Sequence, residues 1–250
     1  MSEFSGIRST LYKESHKEFP SVRNQDIEVM KKYLMPTSGE TILEVGAGSG
    51  FFSGLIADTL EQSTLYVSDP SAEQLDAVKA LHKNNIKTVQ EGAEELTLPA
   101  DSVDAIWSFG AMHHVFSKVK SFNNFHRILK KGTKLIIADV FSGSSLAQHF
   151  DDKVAKFSAT GHEVSFLSHE YTKSLCLLTG FESPILEDLH IEWVFENKED
   201  IGIFLYKLHA MTKTTPEECT RGAEEILGIT KKDGKYFLSW PMTILVTYKK

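Results

Sequence analysis

With 250 residues, 41% of them hydrophobic, the chain is long enough to bury the core of one α/β domain with insertions. The formal net charge is −7, and the basic residues are scattered apart from pairs such as Lys130-Lys131 and Lys231-Lys232. That leaves no basic stripe of the kind that neutralises phosphates, so DNA and RNA are excluded as expected partners. No run approaches the ~20 apolar residues of a membrane span, and the opening MSEFSGIRSTLYKESHKEF holds no apolar signal segment. The two cysteines, Cys176 and Cys219, match no metal or redox spacing. A cytoplasmic protein without a metal is expected.

Residues 1–36 read as an N-terminal cap, in which Ile27, Met30 and Leu34 are spaced for a helix over Asn24–Leu34 that Pro36 stops. From residue 37 to 140 short apolar runs alternate with helical periodicity, the pattern of parallel β–α–β units. Strands are expected at Thr41–Val45, Thr64–Ser68, Lys87–Glu91, Ala105–Phe109 and Lys134–Asp139. Helices are expected over Phe51–Leu60, over Ser71–Asn84 with Ser71 as its cap, and over Lys118–Leu129 with Lys130-Lys131-Gly132 as its stop. Residues 141–250 are less regular. They suggest helical structure around Ser144–Thr160, a helix over His169–Thr179 and a strand over Ile185–Phe195. Two helices, Asp200–Met211 and Pro216–Leu227, form an insertion at about 198–230 before a last strand, Phe237–Tyr248. No boundary interrupts the pattern, and residues 1–250 read as a single domain.

The most informative tract is Ile42-Leu43-Glu44-Val45-Gly46-Ala47-Gly48-Ser49-Gly50-Phe51, an apolar strand entering a turn with glycine at three alternate positions. Glycine tolerates positive φ and lets backbone N–H groups approach a ligand closely. A dinucleotide turn, G-x-G-x-x-G, would need glycine at position 51, which is Phe51. The spacing is instead E-x-G-x-G-x-G. Nineteen residues beyond Gly50, Asp69 ends the second strand, where a carboxylate can accept both hydroxyls of a ribose.

The tract Glu44–Gly50, together with Tyr66-Val67-Ser68-Asp69-Pro70-Ser71, Leu98-Pro99 and His113-His114-Val115, resembles the class I S-adenosylmethionine-dependent methyltransferases, in their methyltransferase-11-like small-molecule branch. The resemblance implies an α/β, Rossmann-like doubly wound sheet of seven strands in the order 3-2-1-4-5-7-6. Strand seven would be antiparallel, and the helical insertion would fall between the last two strands. It makes residues 37–140 the cofactor-binding core and 141–250 the substrate-side region. The implied cofactor is S-adenosyl-L-methionine, with Glu44, Gly46, Ala47, Gly48 and Gly50 around it and Asp69 and Pro70 at the ribose. At the adenine, members of this branch often carry Gly-Asp-Ala; here the tract is Glu91-Gly92-Ala93-Glu94, with Gly92 in the acid's place. Gly92 and Ala93 by their backbone, or Glu91 or Glu94, are the candidates for that end. Phe109, Gly110 and His114 fall where the family passes beneath the methionine part.

An imidazole that titrates near neutrality suits proton abstraction, which makes His113 the candidate catalytic base. The same segment carries no carboxylates for a magnesium ion, no Asn/Asp-Pro-Pro-Tyr tract and no nearby cysteine, each of which marks another methyltransferase class. Substrate candidates are Tyr12, Phe19, Phe141, Trp193, Phe204 and Trp240, with His149, Phe195 and Tyr206 beside them. Aromatic residues at such spacing fill cores more often than they line pockets. The expected activity is methyl transfer to oxygen, nitrogen or carbon of a small-molecule acceptor, by a protein for which a homodimer is an option. The alternatives are a sensor or partner protein that binds the cofactor without turnover, and an NAD-dependent oxidoreductase.

Overall fold

The computed structural model describes residues 4–60 and 62–250. Two helices open it, α1 (Ile7–Glu18) and α2 (Asn24–Leu34). The α2 bounds are those expected from the sequence, and its final carbonyls, of Tyr33 and Leu34, accept from the Lys134 ammonium at 3.1 and 2.6 Å. α1 was not expected. Its buried positions are Arg8, Ser9 and Ser15, so no apolar stripe marks it in the sequence.

A β–α alternation follows: β1 (Ile42–Val45), α3 (Ser53–Thr59), β2 (Leu65–Ser68), α4 (Ala72–Lys79), β3 (Ile86–Val89) and β4 (Val103–Phe109). A 3-10 turn (Met112–His114) then leads into α5 (Lys118–Ile128) and β5 (Leu129–Asp139). Ser71 caps α4 as expected, its hydroxyl accepting from the Gln74 N–H. The helix stops five residues early, and the positive φ of His82 lies in the connection that replaces its last turn. Asn85 in that connection serves α3 instead, donating to the Ala57 and Leu60 carbonyls. α5 also ends before the expected Lys-Lys-Gly stop: the chain turns straight into β5, and Lys130 pairs with Asp104 across the strands at 2.8 Å.

The remaining elements are α6 (Ser145–His149), a π-helical turn (Phe150–Val154), α7 (Ala155–Phe157), α8 (His169–Leu178), β6 (Ile185–Phe195), α9 (Lys198–Leu208), α10 (Pro216–Ile226), β7 (Ile229–Lys232) and β8 (Lys235–Tyr248). The sheet runs β3-β2-β1-β4-β5-β8-β6, with β7 paired to β8. β1 to β5 are parallel, and β8 is antiparallel to β5. This is the expected path with β8 in the seventh strand's place. The eighth strand is β7, joined to β8 through Asp233 and Gly234, both at positive φ. Asp-Gly between two strands is a hairpin signal that the sequence reading passed over.

The residues cluster into two compact units. One comprises Met30–Asp139, Val164–Asp188 and Thr243–Lys250. Its strands are covered on both faces and read as apolar runs; Ile42, Leu43, Ile106, Trp107, Ile136 and Ile137 are wholly buried. The other comprises Met1–Val29, Val140–Glu163 and Leu189–Met242, of which the first three residues lie outside the described ones, as does the start of the expected 1–36 cap. Here α9 packs on α1 and α10. A Cβ on Gly202 of α9 would land on the Pro216 carbonyl oxygen and the Thr220 hydroxyl, so the helices approach at a point that admits only glycine. Gly202→Ala is therefore expected to cost about 1–3 kcal/mol through overpacking. Urea denaturation checks this; a midpoint equal to wild type would show that α10 can move aside freely.

Candidate active site

The three alternate glycines after β1 all have positive φ: 69° at Gly46, 55° at Gly48 and 85° at Gly50. Each would be strained with a side chain. A Cβ on Gly46 would also collide with the Ala111 Cβ, which places the segment after β4 directly against the first glycine. The turn is tied to the end of β2 by three N–H groups. Gly46 and Ala47 donate to the Ser68 carbonyl at 2.8 and 3.2 Å, and Gly48 donates to Asp69 Oδ2 at 2.9 Å. At Gly50, which is buried, Val78 of α4 comes within 3.1 Å of a would-be Cβ.

Asp69 is buried, and its second oxygen, Oδ1, accepts from the Ser71 N–H at 2.8 Å; Pro70 between them is exposed. Burial pushes the Asp69 carboxyl up, against the pull of the Ser71 and Gly48 N–H groups. Each carboxylate oxygen has two lone pairs, so this pattern leaves acceptor capacity for two further hydroxyls. Glu44 lies deeper. It accepts from the Ser53 hydroxyl at 2.5 Å, and burial, opposed by that bond and reinforced by Asp69, pushes its carboxyl up to about 8. At neutral pH Glu44 is largely protonated, a brace between β1 and the start of α3.

Beyond β3, Gly92, Ala93 and Glu94 form a connection stitched to α5: Asn124 donates to the Ala93 and Glu94 carbonyls at 3.1 and 2.9 Å. Both acids of this tract are engaged within the chain. Glu91 accepts from the Thr97 N–H and hydroxyl, and Glu94 from the Ser117 N–H at 2.5 Å.

At the end of β4, Phe109 is half-buried, its ring 5.0 Å from Phe52 and 5.9 Å from Trp107. Gly110, at φ 62°, donates to the Ala138 carbonyl. The 3-10 turn then presents two histidines with ring centroids 4.2 Å apart, His113 buried and His114 half-buried. His113 Nδ1 lies 2.6 Å from Asp139 Oδ1, and the Met112 N–H donates to Asp139 Oδ2 at 2.6 Å. Asp139 was missed in the sequence. Its signal was there: a lone acid closing the apolar run of β5, at the carboxyl end of a parallel strand, where such sheets bind ligands.

The aromatic candidates lie in the other unit. Trp193 and Trp240 stack at 3.9 Å, Phe204 meets Trp193 edge-on at 5.3 Å, and Phe19 meets Phe204 and Phe195. Trp193 Nε1 donates to Asp26, which is paired with Arg23 at 2.5 Å. His149 and Phe150 reach the Trp240 ring, Phe141 is buried nearby in the sequence, and Tyr12 packs on His16. Trp193, Phe204, Trp240 and Phe141 are buried, and Tyr12, Phe19 and Tyr206 are half-buried. Trp193, Phe204 and Trp240 thus pack as core residues of this unit.

A family model described as a methyltransferase domain matches residues 43–137, the stretch that carries the glycine turn, Asp69 and the two histidines. Methyltransferase RP459 of Rickettsia prowazekii is 28% identical over 170 residues, covering 66% of this chain and 72% of its own length. An O-methyltransferase of Pyrenophora dematioidea is 25% identical over 160 residues, 62% of this chain and 58% of that protein. The family match over residues 43–137 and the relatives support a class I S-adenosylmethionine-dependent methyltransferase. Among solved structures, the YcgJ protein of Bacillus subtilis shares the fold at a TM-score of 0.68, with 14% identity over 91% of this chain and 99% of its own.

The cofactor of such methyltransferases is S-adenosylmethionine, and the residues present suit it. The glycine turn makes a cradle that a Cβ would fill, and Asp69 keeps acceptor capacity beside it. Glu44 yields a check independent of turnover. Its folded-state value of about 8 lies above the ordinary 4.5. The stability it contributes is therefore full below the lower value and is lost as pH rises through the higher one. Glu44→Gln should gain on wild type by on the order of 1–3 kcal/mol between about pH 5 and pH 8. Urea denaturation of both proteins across that range reads the difference, and a constant gap would mean Glu44 is ionised throughout.

Proposed function

We propose that the chain, acting as one methyltransferase domain, transfers the methyl group of S-adenosylmethionine to a small-molecule acceptor. The observation that carries this reading is the bond between the Gly48 N–H and Asp69, which joins a turn of three positive-φ glycines to an acid with spare lone pairs. In this reading Asp69 accepts the ribose hydroxyls, with Gly46, Ala47, Gly48 and Gly50 giving backbone room, Pro70 at the rim and Glu44 bracing the turn from beneath. Gly92, Ala93 and Glu94 border the adenine, and Phe109, Gly110 and His114 the methionine part. With Glu91 and Glu94 both bonded within the chain, backbone groups at Gly92 and Ala93 are the favoured contacts for adenine.

The bound cofactor supplies an already activated methyl group. The protein's share is to orient the acceptor and exclude water, effects that can account for much of such an acceleration. A small acceptor agrees with the net charge of −7 and with relatives named as a 2-methyl-6-phytyl-1,4-hydroquinone methyltransferase and a ubiquinone/menaquinone biosynthesis C-methyltransferase. Tyr12, Phe19, Phe141, Trp193, Phe204 and Trp240 are the proposed acceptor-side residues. Among the described residues no helix is long and apolar enough to cross a membrane.

Two hydrogen bonds to a charged acceptor contribute about 1.5–3 kcal/mol each. Asp69→Ala should accordingly weaken S-adenosylhomocysteine binding by roughly 10²-fold or more, measured by calorimetry, with methyl transfer from labelled cofactor to a metabolite mixture falling in parallel. Unchanged affinity would remove Asp69 from the site, and tight binding with no transfer to any acceptor would reduce the protein to a cofactor sensor.

A further inference from the structure

We propose that the groove between α4 and β3 binds a small organic phosphate, and that its occupation tightens the glycine turn on the cofactor. The anion site stands without the methyl-transfer reading; its coupling to the cofactor rests on that reading.

The groove is a cavity of about 270 Å³ at the edge of the sheet, where β3 ends the strand order. Its floor is Val78, which is buried, with Ile86 and Thr88, which are half-buried. Lys79, His82 and Lys83 stand around it, and all of these residues belong to the unit that carries the glycine turn. Two lysines and a histidine line the groove and no carboxylate does, in a chain whose formal net charge is −7. A concave patch that gathers one sign of charge attracts the opposite one.

Both ammonium groups have partners beyond the groove: Lys79 Nζ lies 3.0 Å from Asp76 Oδ1, and Lys83 pairs with Asp58. Those carboxylates are exposed, at 70% and 61%. Ion pairs in such positions contribute little, so either ammonium can leave its carboxylate for a ligand. Lysine serves phosphate as a point charge, without the planar fork by which arginine matches carboxylates. The last carbonyls of α4, of Asp76, Val78 and Lys79, already accept from the Ala80, Leu81 and His82 N–H groups, so an anion does not meet them bare. Val78 and Ile86 offer apolar surface to a short carbon skeleton. The volume lies below the roughly 300–1,000 Å³ of common ligand pockets, which limits the occupant to a compact molecule.

Two contacts lead from the groove to the cofactor cradle. Val78, on the floor, is also the side chain that comes within 3.1 Å of a would-be Cβ on Gly50. Thr88 lines the groove, and the next carbonyl, of Val89, accepts from the Asp69 N–H at 3.3 Å. A phosphate bridging Lys79 and Lys83 orders the connection between α4 and β3 and leaves less to be ordered when the cofactor binds. The coupling is reciprocal, so each ligand tightens the other by the same factor.

Titration calorimetry of the cofactor-free protein at constant ionic strength, with n-butyl phosphate as the probe, tests the site. Saturable binding is expected, several-fold tighter than that of inorganic phosphate because the butyl chain buries against Val78 and Ile86. Lys79→Gln and Lys83→Gln should each weaken it by roughly 10-fold or more. Lys87→Gln should leave it unchanged, since Lys87 alternates with Ile86 and Thr88 and lies over the Tyr66 ring at 5.6 Å instead. Equal losses at all three lysines would reveal diffuse charge and overturn the proposal, as would inorganic phosphate binding as tightly as the ester. Saturating butyl phosphate should then tighten S-adenosylhomocysteine binding by about 5-fold or more and slow amide exchange at Gly46–Gly50. Lys79→Gln and Lys83→Gln should lose that response while keeping wild-type S-adenosylhomocysteine affinity in the absence of phosphate. An affinity that ignores the bound ester would overturn the coupling. Failure of wild type to bind S-adenosylhomocysteine at all would sink the methyl-transfer reading and the coupling with it, while the first titration still judges the anion site.

Discussion

The hydrogen bond from the Gly48 N–H to the Asp69 carboxylate couples two strand ends that sequence places 21 residues apart. Without it the glycine turn would have its conformational freedom and no reason to hold one shape, because glycine loses more backbone entropy on ordering than any other residue. The Ser68 carbonyl, accepting from Gly46 and Ala47, reinforces the same seam. Parallel pairing of β1 with β2 brings these groups into register, Val45 opposite Ser68, so the sheet and the cradle are specified together. On the other side β1 pairs with β4, and it is this pairing that brings Ala111, and with it the His113 turn, against Gly46.

Buried polar groups of this kind are tolerated only when partnered. Glu44, Asp69 and Asp139 are all buried, and each has a donor: the Ser53 hydroxyl, the Gly48 and Ser71 N–H groups, and the Met112 N–H together with the His113 ring. Burial pushes both Glu44 and Asp69 toward neutrality, Glu44 against the Ser53 hydroxyl and Asp69 against the Ser71 and Gly48 N–H groups.

The strands β1, β2 and β4 were legible in the sequence as local apolar runs, and Gly46, Gly48 and Gly50 as a turn needing positive φ, whereas the strand order followed from the family resemblance. The residues that escaped reading act through partners distant in sequence. α1 has polar residues at its buried positions, so the periodicity of its apolar residues says nothing. Asp139 is ordinary until β4 and β5 pair and set it beside His113, 26 residues away. β7 was overlooked although Asp233-Gly234 announced its hairpin. The aromatic side chains of Trp193, Phe204 and Trp240 carried no signal separating core from pocket, and their stacking gives them a packing role whatever else they do.

The central claim is that the turn at Gly46–Gly50 receives a nucleoside without a pyrophosphate, since Phe51 stands where a dinucleotide turn needs its third glycine. Titration calorimetry of the wild-type protein with S-adenosylhomocysteine, and separately with NAD, tests this most directly. Saturable binding of S-adenosylhomocysteine that NAD neither reproduces nor competes away is the predicted result; saturable binding of NAD with none of S-adenosylhomocysteine would contradict the account.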